Sequence, residues 1–332
     1  MEFIDKIIDK AKQNKKRIIL PEADDDRVLI AAEKAAKENV AEILLLGKKE
    51  HILKKAEQLS LVFNENIEII DYLSSENEEN FNYFANRLCE IRKSKNLKIE
   101  EAKEILKENI YYGMMMLSEN MGDGLVAGAV NTTKDILKPA LQIIKTKKES
   151  DLVSSYFIID TKKKEFGEDG IMLFADCGLN ISPNKEELAS IAVESGRTFE
   201  KMLNKKANIA FLSFATFGSA NSETTEKVRN ALNIAKGKAP DLNMDGEMQL
   251  DAAIIKKVAE IKAKGSNVSG KANVLIFPDI DSGNIGYKMA QYMSGGKAYG
   301  PLLQGINKPV NDLSRGSTAD EIYGVIAITA IE

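Results

Sequence analysis

The stretch RIILPEADDDRVLIAAEKAAKENVAEILLLG, residues 17–47, determines the predicted fold. It begins with the apolar run 17–20 and ends with the apolar run 41–47, each short enough for a buried strand. Between them, residues 27–37 carry apolar side chains at helical spacing. The acidic residues 24–26 precede this segment, where a helix N-terminus favours negative charge. The stretch therefore predicts a strand, a helix and a second strand, which together make a βαβ unit.

The alternation of strands and helices continues on both sides of this unit. Apolar residues at helical spacing in 3–13 predict an amphipathic helix before the first strand. Further strands are predicted at 67–73, 123–130, 208–214, 272–278 and 299–305, and a hairpin is predicted from 156–160 and 171–179. Further helices are predicted at 77–94, 99–119, 133–146, 185–203, 220–236, 248–264, 285–293 and 321–332. This order predicts the α/β class with mostly parallel sheets.

The composition excludes several classes of protein. The chain has 332 residues, of which 44% are hydrophobic and 29% charged, so it is long enough for two globular domains. Its 46 basic and 50 acidic residues are interspersed and give a net charge of -4, which argues against a nucleic-acid partner. No apolar run approaches the roughly 18 residues of a membrane span. The N-terminus is acidic at residue 2 and unlike a secretory signal, so we expect a cytoplasmic protein.

Several motif-like stretches lack a residue that the corresponding chemistry needs. GSNVSGKA (265–272) has alanine where a phosphate-binding loop carries Ser or Thr, and DLNMDGEMQLDA (241–252) ends in alanine where a calcium loop carries Glu. Cys89 and Cys177 lie far apart, which predicts neither a disulfide framework nor a zinc site. The single histidine, His51, is predicted to be a solvated surface residue. Acid–base chemistry would therefore rely on carboxylate, lysine or tyrosine.

The C-terminal stretch NKPVNDLSRGSTADEI, residues 307–322, gathers the functional side chains that remain. An irregular loop is predicted between Pro309 and Gly316, and a helix after it. Ser or Thr at 317–318 can cap this helix, with the Asp–Glu pair 320–321 in its first turn, in the manner of a capping box.

Ser314 and Arg315 are not explained by this cap. They lie just before the predicted helix, where free N–H groups favour an anion. Arg315 adds a fork that suits phosphate oxygens, and a carboxylate one turn into the helix can take a proton from a nucleophile held above the anion.

These residues carry a resemblance to a known family. GPLLQGINKPVNDLSRG (300–316) closely resembles the C-terminal signature of the phosphate acetyltransferases, also called phosphotransacetylases. Other stretches follow in family order, so that the resemblance spans essentially the whole chain: RIILPEADDDR (17–27), DGLVAGAVNTTKDILKPALQIIKT (123–146), FADCGLNISP (174–183), LSFATFGSA (212–220), DGEMQLDAA (245–253) and IFPDIDSGNIGYK (276–288).

The resemblance implies reversible transfer of an acetyl group between coenzyme A and inorganic phosphate, through acetyl phosphate, in acetate metabolism. It implies two α/β domains similar to those of isocitrate and isopropylmalate dehydrogenases, with the active site in the cleft between them. Domain I would hold 1–146 plus 296–332, and domain II would hold 147–295. It also implies a homodimer that uses coenzyme A as a co-substrate, without a tightly bound cofactor or a metal.

The family's functional residues map onto this chain by position. The catalytic serine and arginine fall on Ser314 and Arg315, and the general base falls on Glu321. Two cationic positions fall on Arg92 and Lys138. The substrate-binding positions implied by the resemblance are Arg92, Lys138, Asn131, Thr132, Thr133, Asn311 and Asp320. The thiolate of coenzyme A would attack the acetyl carbonyl directly.

The sequence departs from the family at several of these positions. The base is usually Asp, so either Asp320 or Glu321 can supply the carboxylate, and the helix spacing favours Glu321. Lys138 replaces a usual arginine and loses its bidentate fork. Ala127 and Phe217 stand where a Ser and a Lys are common. Two alternatives stay open: a phosphate butyryltransferase that acts on longer acyl groups, and a non-catalytic module that binds acyl-CoA or acetyl phosphate.

Overall fold

The computed structural model describes residues 3–148 and 150–332. Its strands are β1 (Lys16–Leu20), β2 (Ala41–Leu46), β3 (Ile67–Ile70), β4 (Gly124–Ala127), β5 (Ser154–Asp160), β6 (Ile171–Ala175), β7 (Asn208–Leu212), β8 (Asn243–Met248), β9 (Val274–Ile276), β10 (Lys297–Gln304) and β11 (Val310–Asp312). Its helices are α1 (Phe3–Gln13), α2 (Asp26–Lys37), α3 (Lys49–Gln58), α4 (Glu78–Ile91), α5 (Ile99–Ile105), α6 (Asn109–Ser118), α7 (Thr133–Pro139), α8 (Lys185–Leu203), α9 (Glu223–Lys238), α10 (Leu250–Ile254), α11 (Lys256–Lys262), α12 (Ile280–Ser294) and α13 (Ala319–Ile331). The predicted α/β class is confirmed.

The first compact unit contains the described residues up to Lys145 together with Ile306–Glu332. Its strands are ordered β3-β2-β1-β4-β11, and every neighbouring pair is parallel. β1 is central, with Ile18 opposite Gly124 on one side and Ile43 on the other. Because the strands are parallel, the carboxyl ends of β1, β4 and β11 lie at one edge of the sheet.

The core of this unit forms around α13, which is apolar on nearly all its faces. Its residues from Ile322 to Ala330 are buried, and it packs against α1, α2 and strands β1 and β4. The approach to β4 is close: a Cβ on Gly124 would lie 2.5 Å from the Thr329 methyl group. Glycine at this position therefore lets the helix lie directly on the sheet.

The second compact unit contains the described residues from Thr146 to Gly305. Its strands are ordered β10-β5-β6-β9-β7-β8, with β5 antiparallel to both β10 and β6 and the remaining pairs parallel. The predicted hairpin is thus confirmed as β5 and β6. Its core includes Phe157 stacked on Tyr287, with ring centroids 3.9 Å apart.

The predicted domain division, 1–146 plus 296–332 against 147–295, stays a prediction. Within the second compact unit, β10 (297–304) forms an antiparallel ladder with β5, and Lys297 lies opposite Asp160. Residues 297–304, which the prediction places in domain I, therefore form backbone hydrogen bonds with β5 of the second compact unit.

Some predicted elements are wrong in extent. The helix predicted at 99–119 is two helices, because the Asn109 side chain donates to the Pro21 carbonyl (2.6 Å) and holds the chain where α6 begins. The helix predicted at 248–264 is α10 and α11, separated by an extended backbone at Ile255. The α-helix predicted at 133–146 ends at Pro139, after which a wider helical turn covers Ala140–Ile144.

Two strands are missing from the sequence prediction. β8 lies in the polar stretch 241–252, and β11 lies where an irregular loop is predicted. Both are short and polar, so they carry no apolar period. β8 is a strand because it pairs with β7, and β11 is a strand because it pairs with β4.

Candidate active site

Glu22 organises the loop that follows β4. Its side chain is only 4% exposed, and it comes two residues after β1 ends. Oε2 accepts from the backbone N–H groups of Gly128 and Ala129 (both 2.8 Å). Oε1 accepts from the backbone N–H of Val130 (3.2 Å) and from both the backbone and the side-chain nitrogen of Asn131 (both 2.8 Å). Five donors thus converge on one carboxylate and tie residues 128–131 to the loop that follows β1.

Arg27 joins this loop to the loop that follows β11. Its guanidinium donates to the carbonyls of Arg315 and Ser317 (both 2.8 Å) and to that of Ala129 (2.9 Å). It also pairs with Asp25 (2.8 Å), and that hydrogen bond raises the pKa of the Arg27 side chain. One fixed cation at the start of α2 thus positions both loops at the edge of the sheet.

Asp312 lies at the end of β11 and is 1% exposed. Thr133, the first residue of α7, hydrogen-bonds to its Oδ2, and the Leu313 N–H donates to Oδ1 (3.0 Å). Burial raises the pKa of Asp312 to about 7, and the hydrogen bonds from Thr133 and Leu313 oppose this rise. Gly128 allows the close approach, since a Cβ there would lie 2.2 Å from Oδ1.

Ser314 and Arg315 are exposed in the loop between β11 and α13. The loop is a tight turn, in which the Ser317 N–H donates to the Ser314 carbonyl (2.8 Å) and the Gly316 N–H donates to Ser314 Oγ (3.4 Å). The backbone is held by these bonds and by Arg27, while both side chains face solvent. The predicted catalytic pair is thus presented on a constrained turn.

The predicted capping box is present at the start of α13. The Glu321 carboxylate accepts from the Thr318 N–H (2.8 Å), and the Glu321 N–H donates to Thr318 Oγ1 (3.2 Å). Asp320 is 73% exposed and pairs with Lys34 of α2 (2.7 Å). Of the two neighbouring carboxylates, Glu321 is therefore the one tied to the end of the Ser314–Arg315 loop.

The two predicted cationic positions lie near α6 and α7. Arg92, at the end of α4, donates to Gln142 Oε1, which also accepts from the Tyr111 hydroxyl (3.1 Å). Lys138 is exposed on α7 and lines a cavity of about 500 Å³ with Tyr111 and Asn131. The remaining lining residues are Tyr72, Lys107, Glu108, Asn109, Ile110 and Asp135.

The structure does not bring Asn311 to this edge. Asn311 is fully buried, and its amide donates to Thr329 Oγ1 (2.9 Å) and to the Glu332 carboxylate (2.8 Å). Side chains alternate along a strand, so its neighbour Asp312 points to the opposite face. Asn311 can contact a ligand only if this network is broken.

The single histidine lies at the surface, as predicted: the side chain of His51 is 52% exposed.

Glu22, Arg27 and Asp312 were not predicted to belong to the site. The available signal is positional, since Glu22 and Asp312 stand at or just after the carboxyl ends of parallel strands, where ligands of α/β sheets bind. Among the predicted residues, Asn131, Thr132, Ser314 and Arg315 occupy the two loops that Glu22 and Arg27 hold together, and Thr133 follows as the first residue of α7.

A hydroxyl, a guanidinium and a carboxylate at the carboxyl edge of a parallel sheet define an α/β enzyme suited to phosphate-bearing substrates. A family model described as Phosphate acetyl/butaryl transferase matches residues 2–330. The chain belongs to this family and is a transferase.

Individual relatives agree with this assignment. The chain is 51% identical to a phosphate acetyltransferase from Thermoanaerobacterium thermosaccharolyticum, over 100% of this chain and 99% of the relative. It is 48% identical to one from Acetivibrio thermocellus, over 100% and 98%. A phosphotransacetylase structure from Streptococcus pyogenes superposes with a TM-score of 0.89 at 39% identity, over 99% of this chain and 97% of that one.

Residues 3–148 and 150–332 lack two features. None of the helices there has the length and apolar character needed to cross a membrane. No group of three or more His, Cys, Asp or Glu side chains is arranged there to hold a metal ion.

Proposed function

We propose that the chain transfers an acetyl group reversibly between acetyl phosphate and coenzyme A. The observation that carries this proposal is the exposed Ser314–Arg315 pair on a turn held by Arg27, with the Glu321 carboxylate at the start of the next helix. These are the three groups that thiol deprotonation, carbonyl attack and phosphate departure need.

Glu321 is the proposed general base. A thiol with a pKa of about 8–9 is mostly protonated at neutral pH, so a positioned carboxylate increases the reactive thiolate. Glu321 takes the thiol proton, the sulfur forms a bond to the acetyl carbon, and the bond from that carbon to the phosphate oxygen breaks. The Thr318 N–H holds the carboxylate in orientation (2.8 Å), whereas Asp320 is engaged by Lys34.

Arg315 is the proposed cation for the leaving phosphate. Its side chain is exposed, and its own backbone carbonyl is anchored by Arg27 at 2.8 Å, so the guanidinium extends from a fixed point. Arg92 or Lys138 adds positive charge for phosphate groups of the substrates. Ser314 donates a hydrogen bond to the thiol or to the oxyanion that forms on the acetyl carbon.

Residues 131–133, where the loop after β4 leads into α7, are proposed to contact the substrate from a second side, and Asp320 is proposed to contact it at the edge of the site. Asn131 is oriented by Glu22, and Thr133 by Asp312. Thr132 caps α7 through Asp135, so its side chain has a structural role as well. The reaction needs no tightly bound cofactor. We propose a cytoplasmic location, where coenzyme A is kept as a free thiol.

We also propose a homodimer. On α12, Ile285, Met289, Tyr292 and Met293 lie at helical spacing and are 59%, 54%, 78% and 79% exposed. An exposed apolar stripe of this kind is typical of an association surface. Tyr292→Glu should yield a monomer in sedimentation, while Ile261→Glu, at a 78% exposed apolar position on α11, should not. A monomeric wild-type protein would contradict the proposal.

The activity is tested by following thioester formation with purified protein, coenzyme A and acetyl phosphate, and then with butyryl phosphate. We expect rapid acetyl transfer and much slower butyryl transfer. A preference for butyryl phosphate would make the chain a butyryltransferase. Each methylene of the acyl group changes selectivity by only about 1–3 kcal/mol, so the rates with the two donors must be compared directly. Binding of coenzyme A without transfer from either donor would leave only a binding module.

A further inference from the structure

Asp312 is a buried carboxyl group that the reaction above does not use. It is 1% exposed, it lies two residues before Ser314, and its Oδ2 contacts the hydroxyl of Thr133 at the start of α7. Glycine at position 128 leaves room for this carboxyl group, because a Cβ at that position would lie 2.2 Å from Asp312 Oδ1. The sequence therefore accommodates an acidic group between the two loops of the site.

A hydroxyl group can donate only one hydrogen bond. When Asp312 is ionised it can only accept, so Thr133 must donate to it and can offer an anion no proton. When Asp312 is protonated it can donate to Thr133 Oγ1, and the threonine proton is then available to a phosphate oxygen. The proton on Asp312 thus decides what Thr133 presents to a ligand.

Several groups face the Asp312 carboxyl from the surrounding elements. Glu22, from the loop after β1, disfavours its ionised form, and Arg315, from its own loop, favours that form. The Leu313 N–H donates to Oδ1 at 3.0 Å, and Thr133 faces it from α7. Burial has the largest effect and raises the pKa of Asp312 to about 7, so both protonation states are accessible near neutral pH.

We propose that Asp312 is a positioning residue that holds a proton when phosphate is bound, so that Thr133 donates its hydroxyl proton to the phosphate. This inference rests on the proposed function, because it takes the Ser314–Arg315 edge as the phosphate site. No covalent step is involved. The proton is taken up from solvent as the anion binds and is released when the anion leaves.

The direct test is calorimetric titration with sulfate, which stays a dianion between about pH 6 and about pH 8.5. If the bound anion raises the pKa of Asp312 by about one unit, the linkage predicts wild-type affinity about five- to tenfold lower at the higher pH. Asp312→Asn keeps an acceptor for the Leu313 N–H and a permanent donor toward Thr133, so its affinity should lose this pH dependence. Asp9→Asn, on the exposed face of α1, should keep it.

A second pair of variants covers the case in which Asp312→Asn does not fold. Thr133→Val should bind sulfate weakly with no pH dependence, and Thr133→Ser should restore both properties. An unchanged pH profile in Asp312→Asn or Thr133→Val would overturn the proposal, as would a wild-type protein that binds no sulfate. Because the titration needs no turnover, sulfate binding with the expected profile but no acetyl transfer would refute only the proposed function.

Discussion

Replacing Glu22 by glutamine should destabilise the protein far more than a neutral substitution of similar size. The Glu22 carboxylate accepts five hydrogen bonds from residues 128–131, two at Oε2 and three at Oε1. A glutamine amide has only one oxygen. Its best orientation keeps the three donors at that oxygen and turns the NH₂ group toward the N–H groups of Gly128 and Ala129.

The magnitude follows from those two donors. Each buried donor left without an acceptor costs about 1–3 kcal/mol, so Glu22→Gln should cost about 2–6 kcal/mol of unfolding free energy. This is a large part of the 5–15 kcal/mol that is usual for a folded domain. The loop can limit the loss by opening locally, in which case its amide protons should exchange faster with solvent.

The assay is urea unfolding followed by circular dichroism, together with hydrogen exchange over residues 128–131. Glu68→Gln is the matched control, because Glu68 is 60% exposed and forms a surface pair with Arg17 (3.0 Å), so about 0–1 kcal/mol is expected. If Glu22→Gln unfolds like that control and its loop amides stay protected, the carboxylate does not organise the loop and the reasoning is refuted.

Other predictions concern the site directly. Arg315→Ala should lower turnover at least about 10²-fold in the thioester assay, because it removes the cation proposed for the leaving phosphate, and near-normal turnover would contradict that role. Glu321→Gln should lose far more turnover than Asp320→Asn, although glutamine still completes the capping box, and the reverse order would move the base to Asp320. Gly128→Ala should lower the melting temperature, because φ is +114° there and the new Cβ would lie 2.2 Å from Asp312 Oδ1; an unchanged melting temperature would show that the loop gives way. The folded pKa of Asp312, about 7, lies above the ordinary value of 3.8, so its contribution to the unfolding free energy should fall as the pH rises from about 4 to about 7. Asp312→Asn should reduce that slope in urea unfolding, and an unchanged slope would place the titration elsewhere.

From the sequence we predict the α/β class, the hairpin and most helices, together with the family to which the chain belongs. These features depend on local signals. The period of apolar residues predicts α8 at Lys185–Leu203, and the spacing of Thr318 and Glu321 predicts the cap of α13. The Ser314–Arg315 pair could be identified because its neighbours in sequence form a recognisable motif. The catalytic roles assigned to it stay predictions.

The contacts that hold the loops of the site are evident only in the folded structure. Glu22 binds backbone groups 106 to 109 positions away, and Arg27 reaches the Arg315 carbonyl across 288 positions. Nothing local specifies such pairs, since they arise only when parallel strands bring their carboxyl ends to one edge. The same holds for β8 and β11, whose polar residues become strands through pairing, and for Asp312, whose proton affinity depends on burial. Pairing order and burial are properties of the folded sheet, so the physical environment of the site could not be predicted from the chain alone.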